Sequence, residues 1–204
     1  MAAEVADCRA LIQAMEVGPV HVVGVSYSAA IALNLASASP ETVRTLTVME
    51  PPPTGIRSTP EFLAVSTRLL ATFRTEGPLV ALEEFLTMLA GPDWRRESER
   101  DLPGSVAAME RDAVTFFESD LPALLSWEFG SADAARITCP VLYVGGSDSG
   151  PWFAEVRGRM VQLLPHARDT TVQGAGHLLA LTHPEATAGL LVEFLRRHSR
   201  SDST

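Results

Sequence analysis

The sequence predicts an α/β fold: a parallel sheet flanked by helices and interrupted by a helical insertion. Three observations predict it. Short β-branched runs such as Val20-His-Val-Val-Gly-Val25 and Pro140-Val-Leu-Tyr-Val144 have the pattern of buried parallel strands. They alternate with helical segments at both ends of the chain, the order α-β-α-β and then β-α-β-α. No strand pattern occurs between Pro51 and Arg136. The chain therefore divides into a core, residues 1–50 and 130–204, and a helical insertion, residues 51–129.

Ala2 to Met15 reads as an amphipathic helix with Val5, Cys8, Ile12 and Met15 on one face, stopped by Gly18-Pro19. The strand Val20–Val25 runs directly into the Ala-rich segment Ser26–Ala38, a helix suited to packing closely on a sheet. Thr45–Met49 is the next strand, broken by Glu50-Pro-Pro-Pro53. In the insertion, Thr59-Pro60-Glu61 is a helix start with proline at its first position, and Gly77 ends that helix. Further helices are expected over Pro78–Leu89, Ser105–Phe117 and Leu121–Trp127, and Asp93–Asp101 reads as a solvated, mixed-charge surface around Trp94. Phe116-Phe117, Trp127 and Phe129 suit the core of the insertion, or the lining of an acyl pocket. After the strand Pro140–Val144 come a helix over Pro151–Leu164, a weak strand Asp169–Val172 and a last helix Pro184–His198. That helix carries Glu185 early and Arg196-Arg197-His198 late, matching its dipole. The tail Ser199–Thr204 is expected to fray.

Composition narrows the function. The 204 residues carry 16 Lys and Arg against 25 Asp and Glu, a net charge of −9. That balance argues against a nucleic-acid surface, which would be basic. Cys8 and Cys139 are isolated, so neither a zinc ribbon nor a disulfide scaffold is expected. They read as small apolar residues in a reducing compartment, and a cytoplasmic protein is expected. The opening residues carry acids where a signal peptide has a basic start. The charge-free stretch Val17–Ala38 is long enough to cross a bilayer, but its Gly18-Pro19, His21, Gly24 and serines fit a strand, turn and helix better. No His pair has metal-ligand spacing, so no metal is expected.

The chemistry concentrates at strand ends. Gly24-Val-Ser26-Tyr-Ser28 sits where a strand turns into a helix, the context in which a tight turn lifts a serine hydroxyl above a sheet. The usual pattern is G-x-S-x-G; here Ser28 replaces the last glycine and adds a hydroxymethyl group at the expected closest approach. A serine nucleophile needs a base and an acid that orients the base. Asp148 follows the third strand in Gly145-Gly-Ser-Asp-Ser-Gly150, and His177 follows the fourth in Gly174-Ala-Gly-His177. All three residues then project from the carboxyl ends of parallel strands, where open α/β sheets place their sites. Each has a plainer reading: Ser26 as a helix N-cap, Asp148 as a turn residue, His177 as a loop histidine. Glu50, at the end of the second strand, is the alternative acid; Asp148 is preferred because three prolines stiffen the path after Glu50. His21, His166 and His183 read as structural or exposed.

Together the Ser26 elbow, the Asp148 turn and the Gly-Ala-Gly-His177 loop with His183-Pro184-Glu185 resemble the α/β-hydrolase family, in its cap-bearing esterase and cofactor-free haloperoxidase-like branch. The resemblance covers essentially the whole chain. It implies a Ser26–Asp148–His177 triad, an oxyanion-hole N–H from Tyr27, an acyl-enzyme, no cofactor, and a small apolar ester-like substrate. It makes residues 51–129 a cap. It also places four further strands before the first helix, with a loop carrying the second oxyanion donor, whose loss costs roughly 10²–10³ in turnover. Relative to that pattern the core is incomplete at its N-terminus, so Val20–Val25 is expected to form an open sheet edge prone to self-association. A non-catalytic relative that binds an apolar ligand or a partner chain at this edge is the alternative reading.

Overall fold

The computed structural model describes residues 1–199; the rest of the expected frayed tail lies outside the described residues. Four parallel strands pair in the order β1 (Val20–Val25), β2 (Val43–Met49), β3 (Val141–Gly146) and β4 (Arg168–Val172). Strand order equals chain order. Each crossover is therefore free to return on one face of the sheet, as right-handed connections require.

That face is covered by α1 (Ala2–Met15), α2 (Tyr27–Ala38) and, after β3, α9 (Pro151–Leu163). Ala29, Ala30, Ala32 and Ala36 bring α2 close to the sheet, and Val156 and Met160 anchor α9 beside Leu46, Val48, Val141 and Tyr143. α1 lies outermost. Val5, Cys8 and Ile12 pack on the core, whereas Met15, expected on the same face, is the last residue of the helix and is mostly exposed. The opposite face carries Met49, Leu142, Val144 and Val172 against α10 (Leu179–Thr182) and Phe194 of α11 (Pro184–His198). The stretch weighed as a membrane span is β1 and α2, and no helix among the described residues is long and apolar enough to cross a membrane.

Between β2 and β3, α3 (Thr59–Glu76), α4 (Pro78–Ala90), α5 (Trp94–Asp101), α6 (Ser105–Thr115) and α7 (Leu121–Leu125) gather a separate hydrophobic cluster around Phe62, Leu69, Leu82, Trp94 and Phe117. One π-helical turn, Phe116–Asp120, joins α6 to α7. Trp127 and Phe129 leave this cluster and pack in the sheet's own core, where the Trp127 indole N–H donates to Asn34 Oδ1 at 3.3 Å. A short α8 (Ser131–Ala134) then leads to β3.

The mixed-charge segment Asp93–Asp101 is more than a solvated surface. It forms α5, and Trp94 within it is 1% exposed. The Trp94 indole donates to Glu83 on α4, while Arg95 bridges Glu83 and Glu110 and lies over the Trp94 ring. One buried aromatic thus docks a helix whose Arg96 and Glu99 face water. Trp94→Ala should cost about 3–5 kcal/mol of stability, read as a lower urea midpoint. Arg96→Ala removes an exposed ion pair with Asp93 and should stay within about 0.5 kcal/mol.

Candidate active site

The site begins with a backbone constraint. β1 passes into α2 through Ser26, which has φ 51 and ψ −119, a conformation costly for a residue with a Cβ. The turn closes because Gly24 has no side chain. A Cβ there would strike the Ser28 carbonyl oxygen and lie 2.6 Å from Ala29 Cα. Gly24 therefore occupies the tightest approach. Ser28, expected to crowd it, is exposed, and its hydroxyl accepts from Val25 N–H and donates to Val25 C=O, both at 2.8 Å. Ser26 N–H donates to Met49 C=O across the ladder. Alternation then puts the N–H and C=O groups of Val25, Val23 and His21 on the outer side of β1. Ser28 satisfies the last pair on that edge.

Two distant segments meet Ser26. His177, 4% exposed in the loop after β4, places Nε2 at 3.1 Å from Ser26 Oγ and Nδ1 at 2.8 Å from Glu50 Oε2. A carboxylate only accepts, so Nδ1 carries the proton and Nε2 is left to accept from the serine hydroxyl. Phe153 of α9 stacks on the imidazole at 4.0 Å and 14° and fixes the ring plane. Glu50, 1% exposed, stands one residue past β2 with φ 44, the second strained residue of the site. Its other oxygen, Oε1, accepts from Gly146 N–H at 2.8 Å.

This corrects the expected partner of His177. Asp148 lies in the adjacent loop, but its backbone N–H is tied to Ala175 C=O at 2.9 Å and its exposed carboxylate accepts from Ser147 Oγ at 2.7 Å. Ser147 Oγ in turn accepts from Gly174 N–H. Asp148 therefore braces the loops after β3 and β4 against each other, and Glu50 holds the histidine. The prolines do not hinder this: Pro51–Pro53 are buried and follow the turn that aims Glu50 inward. Two contributors went unread in the sequence. Phe153 sits three residues past Gly150 with only an aromatic side chain to mark it. The Gly146 amide has no side-chain signal, although a Cβ at Gly146 would collide with the Ala175 carbonyl.

Tyr27 opens α2, so its amide has no intrahelical acceptor and points with the positive end of the helix dipole beside Ser26. Its hydroxyl donates to Glu4 Oε1 at 2.8 Å. Burial, with Glu4 adding, raises the Tyr27 phenol above its usual range, and hydrogen bonds to the amino terminus and Tyr27 hold Glu4 down at about 2. His21 donates to or accepts from Thr45 Oγ1 under the sheet, and His166 is exposed. Among the described residues no cluster of three His, Cys, Asp or Glu side chains could hold a metal ion.

The sequence matches the alpha/beta hydrolase family over residues 1–190. The chain belongs to that family. Solved structures agree on the fold. A thermophilic esterase from Thermogutta terrifontis has TM-score 0.76 and 19% identity, with 96% of this chain and 72% of that one covered. A carboxylesterase structure from Nitrososphaera gargenis has TM-score 0.72 and 19% identity, covering 94% and 70%. The enol-lactonase from Burkholderia xenovorans LB400 has TM-score 0.72 and 20% identity, covering 94% and 71%. A search of curated protein sequences found no significant match.

In this alpha/beta hydrolase a cleft of about 430 Å³ opens beside His177, between the insertion and the sheet. Leu89 and Trp94 line it from above, and Asp148, Gly176 and Leu178 from below. The elbow gives a direct test of the backbone constraint. Gly24→Ala should abolish soluble folded protein, seen as loss of a cooperative melt, because backbone rather than a movable side chain blocks the added methyl. Ser28→Ala loses two exposed bonds and should cost only about 1 kcal/mol in the same melt.

Proposed function

We propose that this chain is a serine hydrolase that cleaves a carboxylic ester or related acyl substrate through an acyl-enzyme. The observation that carries this is the line of contacts from Ser26 Oγ to His177 Nε2, and from His177 Nδ1 to Glu50, at 3.1 and 2.8 Å. In this reading His177 takes the Ser26 proton as Oγ attacks the acyl carbon. Glu50 stabilises the imidazolium that forms and keeps its ring oriented. The Tyr27 amide donates to the developing oxyanion. His177 then protonates the leaving alcohol, and water, activated by the same imidazole, releases the acid. The helices α3–α7 act as the cap, and the cleft beneath them reaches His177 between the apolar Leu89, Trp94 and Leu178 and the charged Glu97, Arg100 and Asp148, which suits a small ester that also carries polar groups. An esterase, a carboxylesterase and an enol-lactonase among proteins of this fold support an acyl substrate.

A fluorophosphonate probe should label the parent and not Ser26→Ala; labelling at the parent rate in the variant overturns the assignment. Among the acids, Glu50→Gln should lower turnover of a short-chain p-nitrophenyl ester on the order of 10⁴-fold. Asp148→Asn keeps an acceptor for Ser147 Oγ and should lose far less. The opposite ranking moves the acid to Asp148.

A second reading concerns partners. Val23 on β1 is 42% exposed, and the outer groups of the strand face away from β2. We propose that this edge pairs with a second copy, since β1 is the outermost strand of the described sheet and salt screens the net charge of −9 beyond about 8 Å, leaving only charges near the edge to oppose contact. Light scattering of the 204-residue chain should show mass rising with concentration and falling in Val23→Lys. A monomer at every concentration rules the pairing out.

A further inference from the structure

We propose that the polar cleft behind Glu50, between β3, β4 and α9, binds ordered water that links the Tyr143 hydroxyl to the Glu50 carboxylate, making Tyr143 a positioning residue for the acid. The proposal rests on the reading of Ser26, His177 and Glu50 as a triad. It concerns a different cavity from the one beside His177. This cleft is about 520 Å³ and is lined by Glu50, Tyr143, Gly145, Phe153, Arg157 and Thr171 among others.

Three observations carry it. First, Tyr143 is 1% exposed, yet its hydroxyl has no hydrogen-bond partner among the described residues, and neither has the buried Thr171 Oγ1. Buried hydroxyls are almost always partnered, by protein or by water. Second, Glu50 Oε1 accepts only from Gly146 N–H, and a carboxylate oxygen has room for a second donor. Third, a glycine borders both oxygens. The point a Cβ would occupy on Gly145 lies 3.3 Å from the Tyr143 ring at Cε1, 3.4 Å from Glu50 Oε1 and 3.7 Å from the Tyr143 hydroxyl. Thr171 pairs with Gly145 across the β3–β4 ladder. A site that is roomy, polar and bordered by two to four hydrogen-bonding groups is what a buried water requires.

The direction of the link follows from the charges. Burial, with the negative Glu50 adding, pushes the Tyr143 phenol well above its usual range, so it remains a donor toward the carboxylate. The other charges facing this region are fixed by their own partners or lie elsewhere. Arg157 of α9 is paired with Asp169 of β4 on the far wall. Asp148 and His183 border the other cleft, on the substrate side of His177. Phe153 contributes no charge. A donor reaching Glu50 through water stabilises the anion and lowers the proton affinity of the Glu50–His177 pair. Removing it should raise that affinity.

The experiment uses Tyr143→Phe, which removes the donor, and Gly145→Ala, which sets a methyl against the Tyr143 ring and Glu50 Oε1 and narrows the room beside both oxygens. Two readouts are taken. The acid limb of the pH profile for ester turnover should move up by about 0.5–1 pH unit in each variant. The NMR titration of the His177 ring, identified by its loss in His177→Gln, should move the same way and needs no turnover. The double variant should shift no further than the larger single shift, because both act on one water site. Thr171→Val gives the same reading at a less buried position if Tyr143→Phe does not fold. A ring titration that stays put in the variants overturns the water link even if the enzyme is active. A ring titration that moves in a protein with no turnover and no Ser26 labelling supports the link and overturns the hydrolase reading.

Discussion

A carboxylate with 1% of its surface exposed has to find donors, because an unpaired buried charge is too costly to keep. Glu50 finds a backbone amide from the end of β3 and an imidazole from the loop after β4. It sits itself at the end of β2. One side chain therefore joins three neighbouring strand ends, and the geometry of the whole site depends on it. If β2 and β3 slipped in register, Gly146 would leave Oε1. If the loop after β4 moved, His177 would leave Oε2 and lose its line to Ser26. Removing one partner of such a buried pair typically costs about 3–5 kcal/mol.

The strain in the backbone is placed where this arrangement needs it. Ser26 and Glu50 both hold positive φ, and they face the same imidazole. Neither conformation is favoured locally. The close crossing at Gly24 enforces the first, and the two donors to Glu50 enforce the second. The loop after β4 is held in turn by Ser147 and Asp148, which tie it through Gly174 and Ala175. Strain of this kind persists only where the surroundings over-determine it.

The helices between β2 and β3 have their own hydrophobic cluster, yet they stay connected to the sheet. Tyr27, next to Ser26, packs partly against that cluster, and so does Trp152 at the start of α9. Ser58 at the head of α3 gives both its N–H and its hydroxyl to Glu155 of α9. The roof of the cleft is thus anchored close to Ser26 and to the helix whose Phe153 supports His177. Packing in the insertion can reach the imidazole by a short path.

Much of the fold was legible in the sequence, because the signals that specify it are local. The limits of α1 and α11 agree with periodicity and with Pro184, and the four strands lie where the β-branched runs lie. The elbow at Ser26 was readable because a strand, a glycine and an Ala-rich helix adjoin in the chain. The reading of Asp93–Asp101 fell short because Trp94 was outweighed by its charged neighbours, whereas a single buried indole suffices to dock a helix. The choice between Asp148 and Glu50 could not be read at all. Both are acids just past a strand and both lie between Ser26 and His177 in the chain, and the prolines after Glu50 tilt the reading toward Asp148. What separates them is where each carboxylate points after β2, β3 and β4 have been brought side by side. Asp148 is held by its amide to Ala175 and turns its oxygens to Ser147, while Glu50 turns inward beneath Gly146. The sequence alone determined the four strands, most of the helices, their order, and the serine and histidine at the strand ends. Only the tertiary structure decided which acid meets the histidine, because that contact spans 127 residues of chain and exists only once the strands are in register.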